Sequence, residues 1–175
     1  MTAPLGSIAL AQEYLRTTLA DCTSFRTWVG AVNQAQALAR IHHEALPPPI
    51  TGSEHTLEEL RAYRPCALIW TDVDNGFARR VVSVDSSIDS GSLGLRLAQD
   101  VGEEISHLHA EVYQRFINSV GQIVDELVGL AGLAGYLAMT SLELKSGPFR
   151  SHPDEYETVG DIQFCDLRIT WGATG

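Results

Sequence analysis

Eight apolar residues, Ile105, Leu108, Val112, Phe116, Val120, Ile123, Leu127 and Ala131, recur at three- and four-residue spacings. On a helix that advances about 100° per residue they share one arc. The spacing predicts a helix over about 103–134, and Ile117, Val124 and Val128 widen its apolar face further. A face this long and broad has to be covered by another layer of structure.

The flanks of that helix say what the layer is, because the hydrophobic period changes from 3.6 to 2 on both sides. In "SGSLGLRLAQ", Leu93, Leu95 and Leu97 alternate with Gly94 and Arg96, which is a strand with one buried face. "CALIWT" is a compact apolar run, and "ARRVVSV" follows it after "DVDNG", whose Asn75-Gly76 pair suits a turn with positive φ. The expectation is a hairpin of these two runs. "AMTSLELKS" and "DIQFCDLRITW" read as two closing strands joined by the Pro-containing "GPFRSHPDEYETVG". In the last strand Ile162 and Phe164 are out of phase with Leu167, Ile169 and Trp171, so a bulge near Cys165 and Asp166 is expected. Asp100 and Glu103 are placed to cap the long helix, with Glu103 and Glu104 favoured by its dipole.

Ahead of the sheet, Ile8, Ala11, Leu15 and Leu19 predict a helix over about 7–20, broken by "DCTS". Ser24 is placed to cap a second helix carrying Phe25, Trp28, Val29, Val32, Ala35 and Ala39 on one face. Residues 1–46 are thus expected to form a helical hairpin. "ALPPPITGSEH" is a loop, since its prolines remove donors and fix an extended backbone. Thr56 and Glu59 have capping-box spacing before a short helix that Pro65 ends. Short connections between consecutive strands favour an antiparallel or mixed sheet. The expected fold is one α+β domain over 1–175, with the N-terminal helical hairpin and a sheet packed by the long central helix over 65–172.

Composition narrows the function classes. A net charge of −10, from 22 acids against 12 bases, repels phosphate backbones and argues against non-specific nucleic-acid binding. Cys22, Cys66 and Cys165 are odd in number, far apart and in no CxxC pattern, as in a reduced intracellular chain. The opening "MTAPLGSIALAQEYL" lacks a basic n-region and a continuous apolar h-region, and no stretch is long and apolar enough for a membrane span. A cytosolic chain is the expectation.

"SHLHAE" offers two histidines and a carboxylate within five residues. On one helix His107 and His109 lie about 200° apart, so they cannot chelate one ion together. His109 falls within the apolar arc and is expected to turn toward the core. His107 falls with Glu111 on the polar face, and an HExxH spacing is absent. "IHHEAL" offers His42 and His43 at what reads as a solvated helix end beside Pro47. The order of a GxSxG nucleophile elbow is absent, and Cys165 reads as a core thiol. "TDVDNGF" and "VDSSIDSGS" lack EF-hand order and read as solvated turns. No catalytic residue, metal site or cofactor follows from these patterns, and the chain is read as a non-enzyme. The alternative is a metal-binding enzyme using His42 and His43, or His107 and His109.

The segments "YLRTTLADCTSFRTWVGAVNQAQALARI", "LRAYRPCALIWT" and "SGPFRSHPDEYETVGDIQFCDLRITWG" resemble phage and prophage proteins encoded near tail genes. The layout of amino-terminal helix, sheet, long crossing helix and final alternating strand is similar to the bacteriophage tail terminator family. This chain differs in carrying the extra helical hairpin and a longer loop. The resemblance implies a virion protein of the tail or neck, assembled in the host cytoplasm. Such a protein forms a ring, commonly a hexamer, that caps the tail tube, stops its polymerisation and presents a surface to head–tail connector proteins. A related neck or tail-completion protein is the close variant. DNA would be only cargo passing through the lumen, and an acidic lumen would let it pass without sticking. A ring needs heterologous, closing interfaces. The candidate contact residues are Ile117, Val124 and Val128 on the long helix, with Phe149, Arg150 and His152 in the proline-flanked connection.

Overall fold

The computed structural model describes residues 7–50, 52, 55–71, 77–83, 86–100, 109–130, 137–151 and 162–174. The first helix, α1 (Ser7–Asp21), forms where its periodicity requires, burying Ala11, Leu15, Leu19 and Ala20. The expected second helix is instead two short ones, α2 (Thr23–Trp28) and α3 (Gln34–Leu38). Gly30 breaks the run with φ 70, a left-handed conformation that glycine adopts without strain. Asn33 restarts it by accepting a 2.9 Å hydrogen bond from the Gln36 N–H. Phe25, Val29 and Ala37 are buried, whereas Val32 is 82% exposed and Ala35 and Ala39 are exposed, so the broad single face does not exist. The hairpin of the sequence reading is a three-helix wrap.

Ser24 is not the N-cap of α2 either. Cys22 holds that position without a side-chain cap bond, and the free N–H groups are satisfied from the long helix α5 (His109–Leu130). Glu126 accepts from Thr23 N at 2.6 Å, from Ser24 N at 2.8 Å and from the Ser24 hydroxyl. One carboxylate thus caps α2 from about a hundred residues away in sequence and ties the N-terminal helices to α5.

The remaining elements are β1 (Ile41–His43), α4 (Leu57–Tyr63), β2 (Cys66–Thr71), β3 (Phe77–Ser83), β4 (Ser86–Asp100), β5 (Leu137–Ser151) and β6 (Ile162–Thr174). The capping box of α4 is complete, with Thr56 and Glu59 bonded reciprocally. The sheet order is β1-β2-β4-β6-β5, with β3 also paired to β4. All pairs are antiparallel except the short parallel β1–β2 contact. An α+β fold with a mixed sheet is therefore what this sequence forms.

Four local expectations change. First, β2 and β3 are not a hairpin: β2 pairs with Leu93–Ala98 and β3 with Ser86–Gly91 of the same strand, both antiparallel. They run in line along one edge of β4, and the chain reverses between β3 and β4. "VDSSIDSGS" is accordingly strand from Ser86 onward, not turn, and Asp89 is 4% exposed. Secondly, β6 pairs with β4 from Ile162 to Thr174 without a register shift, so no bulge lies at Cys165 and Asp166. Gln163, Cys165, Leu167, Ile169 and Trp171 face the core, and Phe164 faces the other way beneath the Arg96 guanidinium, 4.5 Å from its ring centroid. Gln163 is tolerated there because Gln99 Nε2 donates to it at 2.9 Å while Trp28 Nε1 donates to Gln99 at 3.0 Å. Thirdly, the irregularities fall on β5, which runs on through Gly147–Ser151 with register shifts at Met139/Ser141, Leu144/Ser146 and Ser146/Phe149. Fourthly, Asp100 ends β4 and binds Arg64 at 2.6 Å instead of capping α5, while Glu103 and Glu104 lie outside the described residues.

Because β4 and β5 both lie antiparallel to β6, they are parallel to each other, and α5 crosses between them around the central strand. Phe116, Val120, Ile123 and Leu127 of α5 enter a core shared with α1, α2, α3 and the sheet residues Ile69, Leu93, Leu95, Leu97, Leu167, Ile169 and Trp171. The opposite sheet face carries Arg96, whose Nε and Nη2 donate to Asp166 at 2.6 and 2.7 Å.

Two outcomes test this arrangement. A Cβ at Gly94 would sit 2.0 Å from Trp70 Cε2, so Gly94→Ala should destabilise the fold by about 1–3 kcal/mol in urea titrations. For Glu126, burial raises the pKa, but the hydrogen bonds from Ser24 and Thr23 outweigh it and hold the carboxyl below 4.5. Its contribution is present above the unfolded value and lost as pH falls through the lowered folded one. Glu126→Gln should therefore cost about 1–2 kcal/mol at pH 7 and flatten the stability profile below pH 4.5.

Candidate functional site

Among the described residues the histidines form no group that could hold a metal. His42 and His43 sit in β1, not at a helix end, paired with Leu68 and Ile69, and successive strand residues point to opposite faces. His42 packs edge-on against Tyr63 of α4 at 5.8 Å, and its Nε2 is buried without a partner among the described residues. His55 meets the same Tyr63 ring at 5.8 Å. His109 opens the described part of α5, with its side chain outside the description, and His107 and His152 lie outside the described residues. Among the described residues no three His, Cys, Asp or Glu side chains are grouped to hold a metal.

Burial also settles the cysteines. Cys22, Cys66 and Cys165 are free thiols at 0%, 2% and 1% exposure. Burial pushes their pKa values up to about 12, 11 and 11, well away from a reactive thiolate.

What remains are surfaces. On α5, Tyr113, Ile117, Val124 and Val128 fall within an arc of about 60° at the border of the buried face. Val124 packs against the core, Ile117 is half-buried, Tyr113 is 36% exposed and Val128 58%. The breadth that the sequence shows is thus covered in its inner part by the chain's own helices, and the outer margin stays open. Gly121 borders the stripe with nothing within 4 Å of a would-be Cβ. A shallow groove of about 570 Å³ follows between α2 and α5, floored by Trp28 and rimmed by Ser119, Gln122, Asp125 and Glu126.

Phe149 and Arg150, expected in a protruding loop, lie in β5 paired with Phe164 and Gln163. The strand begun by "SLELKS" runs on past Pro148 through two register shifts, and an edge strand tolerates a proline at such an irregularity.

The outer sheet face holds an arrangement that sequence reading missed. Arg64 and Asp100 pair at one end of it and Arg96 and Asp166 in its middle, and between them lies a cleft of about 210 Å³. Cys66 and Ala98 form its buried floor, with Leu46, Leu68 and Phe164 around them. These residues come from four separate segments, and only the register of β2, β4 and β6 brings them together.

The sequence matches no family model and no curated protein. Among the described residues no helix is long and apolar enough to cross a membrane.

Burial lowers the His42 pKa from 6.5, and Arg40 and His43 lower it further. The folded state therefore resists a proton that the unfolded chain accepts, and stability should fall as pH drops below 6.5. His42→Phe, keeping the contact with Tyr63, should remove that part of the slope in denaturation midpoints measured from pH 8 to 5.

Proposed function

We propose that this chain is a structural virion subunit of the tail terminator type, forming a ring that caps the tail tube, ends its polymerisation and offers the joining surface for the head. The observation that carries the assembly part is the open margin of α5, where Val128 stands 58% exposed on a rigid helix beside the bare backbone at Gly121. An apolar stripe next to a glycine allows close approach of a second backbone, and a heterologous contact whose rotation closes generates a ring. The assignment to a tail rests on the resemblance of the quoted segments and of the element order.

Adding the purified protein to polymerising tail tubes should stop growth at a defined length. Val128→Asp should abolish ring formation and capping while leaving the melting temperature within about 2 °C, since the side chain is exposed. A variant that still caps, or a wild-type protein that leaves tube length unchanged, contradicts the proposal.

A further inference from the structure

We propose that the cleft on the outer sheet face is a binding site for a small monocarboxylate with a short apolar body, held by Arg64 above a floor of Cys66 and Ala98. This inference is independent of the assembly reading.

The Arg64 side chain is 8% exposed, yet among the described residues its guanidinium makes one contact, from Nη1 to Asp100 Oδ1 at 2.6 Å. A guanidinium has five N–H donors, and a buried one normally spends several of them. Arg64 lines the cleft, so an acceptor entering it would meet the guanidinium donors that Asp100 leaves over. Arg96, across the cleft, is in the opposite condition. Two of its donors are fixed on Asp166 and its plane lies over Phe164, which makes it a rigid wall.

The charges around the floor favour an anion. At Cys66 the fields of Arg64 and Arg40 act against that of Asp100 alone. Arg40 is itself held in place by its 2.6 Å bond to the Ala62 carbonyl. Around Cys66 two cations thus outnumber one carboxylate, while Leu46, Leu68 and Phe164 supply apolar walls for a hydrocarbon body. A volume of about 210 Å³ suits a chain of a few carbons and excludes a nucleotide.

The test uses hexanoate, hexan-1-ol and hexylammonium as probes of the full-length protein by amide NMR titration. Hexanoate should shift the amides of Cys66, Leu68 and Ala98 and bind roughly 10- to 100-fold tighter than hexanol, the ratio expected for charge-assisted hydrogen bonds. Hexylammonium should not compete. Arg64→Met should reduce hexanoate to the affinity of hexanol and leave hexanol unchanged, and Ala98→Leu, which fills the floor, should abolish both. Equal binding of hexanoate and hexanol, shifts confined to other surfaces, or no shift at saturating hexanoate would overturn the proposal. The headgroup comparison in the wild-type protein decides the matter even where a variant fails to fold.

Discussion

The antiparallel ladder between β4 and β6 is the constraint on which the rest of the structure depends. It runs unbroken from Ile88 paired with Thr174 to Asp100 paired with Ile162. Since side chains alternate along a strand, one register decides everything on both faces. It sets Leu93, Leu95 and Leu97 beside Ile169, Leu167 and Cys165 on the helix side, and Arg96 beside Asp166 on the other. A slip of β6 by one residue would turn Asp166 into the core, away from Arg96, and expose Leu167, Ile169 and Trp171. The buried Gln163 is the cost of that register near the strand end, and the Trp28–Gln99–Gln163 relay offsets it.

The helices complete the ladder rather than direct it. Helix α5 lays Phe116, Val120, Ile123 and Leu127 on the sheet, and α2 is fastened to α5 by the Glu126 carboxylate. That cap makes the N-terminal wrap conditional on the long helix being in place. The face turned away from the core is held locally by Arg64–Asp100, Arg96–Asp166 and the Trp70 indole laid across Gly94.

The long helix, the alternating leucines and the capping box of α4 were legible because each is a local pattern whose physics depends on neighbours in sequence. Other features were not, for stated reasons. Asn75-Gly76 suits a hairpin by residue type, but strand partners are not a local property, and only the pairing of both β2 and β3 with β4 shows that the two are not a hairpin. Ser24 looked like a cap by residue type, while the actual cap, Glu126, is too distant to read. His42 and His43 lie in a strand because the helical run stops at Leu38 and Ile41–His43 find their partners in β2, a pairing that local residue types do not specify. The outer cleft was invisible for the same reason as Glu126, since Leu46, Arg64, Cys66, Ala98 and Phe164 meet only through strand register.

The open margin of α5 is proposed as the place where a neighbouring copy belongs, so the native mass of the wild-type protein in solution is the most direct test. A single closed assembly with an integral number of chains, or its appearance on adding tail tubes, is the predicted result. A monomer that persists at every concentration and remains a monomer in the presence of tubes would contradict the account.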